Sequence, residues 1–233
     1  MPRRLTTRPD DHRAALEQYR RRAGIYDVEL APFEPLRRRA VERLAPRRGD
    51  VVLDVGCGTG LSLPLLLAAI GVEGRVIGIE QSPEMIAKAR ERVRANGWSN
   101  VTLIEAPVGE AHLGLVADAA LLHFTHDILR DEKAVANVLR HLRPGARITA
   151  AGLKWAGFPG WPLNLLVLGA ALHSVSSLEG MDRPWARLEA ATERHWLEPV
   201  LGGGLYIFSA EVARHAVPAP ELQPPVHASG DTR

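Results

Sequence analysis

The sequence predicts a doubly wound α/β fold built on a mostly parallel sheet. Short apolar runs bounded by turn residues recur from Val51 to Ala151, as the doubly buried strands of a parallel sheet do. Stretches with helical spacing lie between them, and strands alternating with helices imply right-handed crossovers. A glycine-rich turn directly follows the first apolar run, and such sheets bind ligands beyond the carboxyl ends of their strands.

Taken in order, residues 1–10 are polar, and Asp11 to Gly24 reads as a basic helix ended by its glycine. Residues 1–24 are therefore expected to form a basic N-terminal extension. A helix over Phe33 to Leu44 leads into the strand Val51 to Val55. Leu61 to Ile70 is helical, with Pro64 tolerable in the first turn. Arg75 to Glu80 is the second strand. Ser82-Pro83 then supplies an N-cap and an N1 proline for a helix with Ile86, Ala89 and Val93 on one face, ending at Asn96-Gly97. Val101 to Glu105 and Ala117 to Leu122 are strands three and four. Val135, Val138, Leu139 and Leu142 mark a helix that closes at Arg143-Pro-Gly145, ahead of a fifth strand, Arg147 to Ala151.

After that strand the pattern breaks. Trp155 to Leu172 contains a single polar side chain, Asn164, but also Gly157, Pro159, Gly160 and Pro162. The Gly-Pro cluster leaves too short an apolar stretch for a membrane span and suits a buried or interfacial helix better. Leu205 to Ala210 is a last strand, and the Pro-rich segment from Val217 is too proline-rich to pack.

Composition narrows the function. The chain has 233 residues with 46% hydrophobic and 24% charged, which fits one globular domain. A net charge of +2 provides no global field of the kind a dedicated nucleic-acid binder shows. Thirteen arginines against seven acids nevertheless crowd residues 1–48, so solvated helix faces and contact with an anionic membrane surface both stay open there. The single cysteine, Cys57, excludes an internal disulfide and fits a reducing compartment. The basic N-terminus has no apolar stretch behind it, which argues against a secretory signal. A cytoplasmic protein, with peripheral membrane contact as an option, is expected.

The most informative segment is Asp54-Val-Gly56-Cys-Gly58-Thr-Gly60, after the first strand and before a helix. Glycines let the backbone turn tightly and approach a ligand, and the helix start offers unpaired N–H groups. A dinucleotide fingerprint would require its third glycine at position 61, where this chain has Leu61. Glu80 ends the second strand, where a carboxylate can accept both hydroxyls of a ribose. Asp54 ahead of the turn would repel pyrophosphate but suits a ligand carrying an ammonium or sulfonium charge.

With Ser82-Pro-Glu-Met85 and Leu142-Arg-Pro-Gly145, these residues resemble the class I S-adenosylmethionine-dependent methyltransferases, most nearly the ubiquinone/menaquinone C-methyltransferases and related phospholipid N-methyltransferases. The resemblance covers about residues 25–212. It implies a seven-stranded sheet with an antiparallel last strand, and S-adenosyl-L-methionine as cofactor. It further implies that Asp54, Gly56, Gly58 and Gly60 hold the methionine part, Glu80 the ribose, and Gln81 and Met85 the adenine. Where many relatives have Gly-Asp-Ala after strand three, this chain has Ala106-Pro107-Val108, which leaves the adenine to the Val108 N–H and apolar packing around Pro107. At the end of strand four it reads His123-Phe-Thr-His126-Asp127, with His123 bordering the cofactor. This lacks the Asn/Asp-Pro-Pro-Tyr/Phe sequence of enzymes that methylate exocyclic amines of bases, so a nucleic-acid substrate is not expected.

His126 is a candidate general base, since imidazole titrates near neutrality, with Asp127 as a rival. Tyr26-Asp27 resembles a pair that closes over the cofactor in many relatives, and a tyrosine that merely caps the core is the competing reading. His123 and His126 lie three apart, but no carboxylate or thiolate set at zinc spacing accompanies them, so no metal is expected. Lys154-Trp155, Trp161, Trp185 and Trp196 are candidates for an acceptor pocket as well as for core.

The expected function is transfer of the cofactor's methyl group to a small, hydrophobic or lipid-like acceptor beneath an apolar insertion at about residues 155–200, with Leu165 and Leu168 among its walls. Residues 213–233 are expected to be a disordered tail. A non-catalytic S-adenosylmethionine-binding module and an RNA methyltransferase remain as alternatives, and the oligomeric state is left open.

Overall fold

The computed structural model describes Asp27 and residues 30–165, 167–169 and 178–213. The basic extension, Tyr26 and the Pro-rich tail from residue 214 lie outside the described residues, as does the stretch 170–177 of the apolar insertion.

A 3-10 turn, Ala31–Phe33, leads into α1, Glu34–Leu44. Strand β1 (Val51–Val55) is followed by α2 (Leu63–Ile70), β2 (Arg75–Glu80), α3 (Pro83–Ala95) and β3 (Val101–Glu105). Then come β4 (Ala117–His123), α4 (His126–Arg130), α5 (Glu132–Arg140) and β5 (Leu142–Leu153). The chain closes with α6 (Ala186–Ala190), β6 (Thr192–Val200) and β7 (Leu205–Val212).

The seven strands are ordered β3-β2-β1-β4-β5-β7-β6. β1 through β5 pair in parallel and β7 runs antiparallel to both β5 and β6. This is the expected doubly wound sheet with its antiparallel last strand. The strand alternation splits the core in two. Leu53, Val55, Ile79 and Leu122 face α5, Trp185 and Phe208 on one side. Val52, Val76 and Leu121 face α1 and α2, through Leu36, Ala40, Leu63 and Leu66, on the other.

Local chemistry explains the helix starts. Ser82 Oγ accepts from the Met85 N–H at 3.3 Å at the head of α3, as its Ser-Pro signature implied. Asp131 does the same for Lys133 at the head of α5.

Two expectations change. The helix expected to close at Arg143-Pro-Gly145 ends at Arg140, and those residues belong to the first part of β5. Gly145, at φ 76°, bends that part so that Leu142 pairs with Ala117 before the main register begins at Arg147. β6 carried no legible strand signal, because among the described residues it is an edge strand paired to β7 alone and most of its residues are exposed. Without a buried face there is no apolar alternation to read.

The strand order reverses between β1 and β4, since the chain winds outward through β2 and β3 and then returns to the other side of β1. The carboxyl ends of β1 and β4 therefore open a crevice.

Candidate active site

At that crevice Asp54, the glycine turn and His123 line one cavity with Leu30, Arg37 and Ser62, enclosing about 300 Å³ of space that opens to solvent. The turn is held by strict geometry. Gly56, Gly58 and Gly60 all adopt positive φ, which L side chains rarely do. A Cβ on Gly56 would come within 2.7 Å of both Thr125 Cγ2 and Ile128 Cδ1, so the turn after β1 packs directly against the start of α4. The Gly58 N–H donates to Glu80 Oε2 at 3.1 Å, and the Ser82 N–H donates to Glu80 Oε1 at 2.8 Å. Glu80 thus joins the ends of β1 and β2.

Asp27 ties the segment before α1 to the same turn. It accepts from Thr59 Oγ1 at 2.5 Å and from Arg92 Nη2 at 2.7 Å, while Arg92 Nε also donates to the Thr59 carbonyl at 3.0 Å.

Three buried polar atoms on the cavity wall have no hydrogen-bond partner among the described residues: Asp54 Oδ2, His123 Nε2 and Arg37 Nε. Such orphans are costly, about 1–3 kcal/mol each, and call for an explanation. Burial pushes the Asp54 carboxyl up to about 7, against the opposing pull of the Arg37 guanidinium and with the help of Glu80. Burial, with Arg37 adding repulsion, lowers His123 to about 3, so its ring is neutral. Burial also raises the Glu80 carboxyl, and the N–H groups of Ser82, Gly58 and Gln81 counter that. A cationic ligand group beside Asp54 would restore its charge.

The remaining expected residues are distributed around this centre. Met85 is buried at the head of α3, and Pro107 and Val108 follow β3 at the neighbouring strand end. The Val108 carbonyl accepts from Asn137 Nδ2 at 2.5 Å, which fixes that loop to α5. Gln81 is half-buried, between Glu80 and the Ser82 cap. His126 and Asp127 open α4. His126 is buried, and its Nε2 lies 3.0 Å from the Glu179 carbonyl; a carbonyl can only accept, so Nε2 carries the hydrogen and Nδ1 the lone pair.

His126 lines a second cavity of about 260 Å³ with Phe124, Thr125, Gly152 and Tyr206, between the ends of β4 and β5. Phe33, Leu153, Leu163, Val167, Leu201 and Leu205 line a third, of about 370 Å³ and apolar in every side chain. Aromatic rings connect the three. His123 meets Phe124 edge-on at 4.8 Å between centroids, and Phe124 meets Phe33 edge-on at 4.9 Å.

The apolar insertion supplies part of this third wall, but through Leu163 and Val167; Leu165 points to solvent at 78% exposure. Lys154 serves as a loop anchor, its Nζ donating to the carbonyls of Trp155 and Gly203 at 2.7 and 3.0 Å. Trp185 is core against Tyr206 and Phe208, and Trp196 is exposed on β6. Sequence reasoning missed Arg37, whose signal was helical phase: it shares a stripe with Val41 and Leu44, both buried.

Comparison with known proteins decides the family. Residues 52–145 match the methyltransferase domain family. Aklanonic acid methyltransferase DauC of a Streptomyces species is 32% identical over 175 residues, spanning 71% of this chain and 76% of that protein. The chain belongs to the class I S-adenosylmethionine-dependent methyltransferases. It spans only about a third of several other curated relatives, among them the arsenite methyltransferase of Halobacterium salinarum, 32% identical over 127 residues that make up 52% of this chain and 31% of that protein. The structure of the N-methyltransferase NodS from Bradyrhizobium japonicum with S-adenosyl-L-homocysteine shares the fold, at a TM-score of 0.62 and 15% identity over 85% of this chain and 98% of that one.

The methyltransferase's own residues fit the family's cofactor. The orphaned Asp54 Oδ2 offers an acceptor to an ammonium, and the backbone of Gly56 and Gly58 lines the same cavity beside it. Among the described residues no helix is long and apolar enough to cross a membrane.

Proposed function

We propose that residues 25–212 form one methyltransferase domain that transfers the methyl group of S-adenosylmethionine to a small apolar acceptor. The observation that carries this reading is the pair of cavities on either side of the His123-Phe124-Phe33 rings, one polar and charged, the other lined by apolar side chains alone. The cofactor, when bound, supplies a methyl group already activated on a sulfonium.

The chain's task is then to bind, orient and exclude water. Asp54 holds the ammonium, and Glu80, kept in place by Gly58 and Ser82, turns its remaining lone pairs toward the ribose. Gln81, Met85, Pro107 and Val108 border the adenine at the ends of β2 and β3. His123, neutral, borders the reacting centre without adding a positive charge beside the sulfonium. His126 accepts a proton at Nδ1 when the acceptor's nucleophile must lose one, with Asp127 as the rival base, and Tyr26 closes over the cofactor.

The acceptor occupies the apolar cavity under the insertion, at about residues 155–200. Quinone precursors, lipid head groups with attached chains and aromatic secondary metabolites share the required chemistry. A relative named for aklanonic acid supports a small-molecule acceptor. The exposed Leu201 on the rim of this cavity fits delivery from an apolar phase, including a membrane surface.

The test incubates the full chain with methyl-labelled S-adenosylmethionine and a fractionated cell extract. Label in a small apolar metabolite is the expected result, abolished by Asp54→Asn. Label in RNA, or none despite cofactor binding, overturns the reading.

A further inference from the structure

A threonine at the head of a helix usually caps it, its hydroxyl accepting from an N–H of the first turn. Thr125 holds that position before α4 and makes no such bond. Its Oγ1 is buried with no hydrogen-bond partner among the described residues, and at 8% exposure it has little solvent to turn to. The methyl of the same side chain has a packing role, since Cγ2 lies 2.7 Å from where a Cβ on Gly56 would fall. Phe124, just before it, adopts a positive φ of 57°, a costly conformation for a bulky residue and one that gathers at functional sites.

Thr125 lines the second cavity, with Phe124, Gly152 and Tyr206, and Leu153 belongs both to that cavity and to the apolar third one. Among the described residues no Asp, Glu, Lys or Arg lines the second cavity, so an ionised acceptor group would be costly there. Burial raises the pKa of the Tyr206 hydroxyl, which keeps it protonated and uncharged. A neutral hydroxyl, which can both donate and accept, is the group that answers such a wall.

We propose that Thr125 is a specificity-determining residue that hydrogen-bonds a hydroxyl group of the acceptor, whose apolar body lies past Leu153 in the third cavity. This rests on the reading that the third cavity takes the acceptor. The favoured substrate class is then an apolar molecule with a hydroxyl at the end nearest the glycine turn. A Thr125 kept only for packing would act through its methyl, and valine would match it for every ligand.

The test uses the full chain loaded with S-adenosylhomocysteine and two probes, 2-naphthol and 2-methylnaphthalene, which differ only in hydroxyl for methyl. Titrations are followed by NMR at the amides of Gly152, in the second cavity, and Val167, in the third. Both probes should move Val167, and 2-naphthol should also move Gly152. In Thr125→Val the affinity of 2-naphthol relative to 2-methylnaphthalene should fall roughly 3- to 10-fold, the scale of one neutral hydrogen bond. Thr125→Ser should restore the ratio, and S-adenosylhomocysteine affinity and thermal melting should hold in the valine variant. An unchanged ratio in Thr125→Val overturns the inference, as does wild-type binding of 2-naphthol that leaves Gly152 unmoved. If neither probe moves Val167, the reading of the third cavity as the acceptor's fails, and the inference with it.

Discussion

The Gly58 N–H donates to Glu80 Oε2 across 3.1 Å, so the acid that ends β2 is built into the turn that follows β1. With the Ser82 N–H on its other oxygen, Glu80 is at once a ligand candidate and a structural brace. Glu80→Ala would leave two N–H groups without their acceptor. Both melting temperature and S-adenosylmethionine affinity should therefore fall, affinity by roughly 1.5–3 kcal/mol. Differential scanning calorimetry paired with titration checks this, and an unchanged affinity in a folded mutant would remove Glu80 from the site.

Asp54 and His123 titrate with opposite consequences. The Asp54 carboxyl moves from 3.8 up to about 7 in the fold, so between those values the folded chain holds the extra proton and stability falls as pH rises. His123 moves from 6.5 down to about 3, so between those values the unfolded chain holds the extra proton and stability rises with pH. From about pH 4 to 6.5 the two slopes offset each other. Asp54→Asn should expose the His123 slope, steepening stability against pH in that window by about 1.4 kcal/mol per pH unit. Urea unfolding from pH 4 to 8 measures it, and identical slopes in mutant and wild type would refute the assignment.

Gly56→Ala combines a positive φ of 68° with a Cβ only 2.7 Å from Thr125 and Ile128. The cost should be at least about 1–2 kcal/mol for the left-handed conformation alone, with more from displacing the α4 start. Gly97→Ala is the contrast, because Gly97 has a similar φ of 65° and nothing within 4 Å of its Cβ. Denaturant midpoints should fall further for the former.

Leu163→Asn and Val167→Asn place a polar group in the apolar cavity. The acceptor KM should rise roughly tenfold for each, the scale on which a hydrophobic pocket registers the loss of a methyl or methylene group, with S-adenosylhomocysteine affinity retained. The exposed Leu165 is the control, since Leu165→Asn should change neither.

His126→Ala should lower turnover by about 10²-fold if a proton is removed in the transfer step. A rate near normal from pH 6 to 9 would leave positioning and water exclusion as the whole mechanism.

The parts that the sequence made legible are those where local chemistry alone decides the structure. β1, β2 and β3 fall on short apolar runs bounded by turn residues, and Ser82-Pro83 marks a helix start through a short-range bond. Asp54 and the glycines stood out because a turn of that kind needs positive φ at fixed spacing. β6 escaped because an edge strand carries little periodicity, and Leu142-Arg-Pro-Gly145 because its pairing with β4 is set by a bend and not by its own pattern. Arg37 sat within an Arg37-Arg38-Arg39 run, where one buried cation looks like its two exposed neighbours. The double role of Glu80 depends on a contact between residues 22 positions apart, which spacing alone does not report.

The central claim is that the cavity at the end of β1 holds S-adenosylmethionine through Asp54. Its most direct test is calorimetric titration of the full chain with S-adenosylhomocysteine at pH 8, repeated with Asp54→Asn. The account predicts one site per chain and at least roughly a tenfold loss of affinity in the mutant, which keeps its fold, as expected when a charge-assisted hydrogen bond is removed. No binding by the wild type, or equal binding by the mutant, would contradict it.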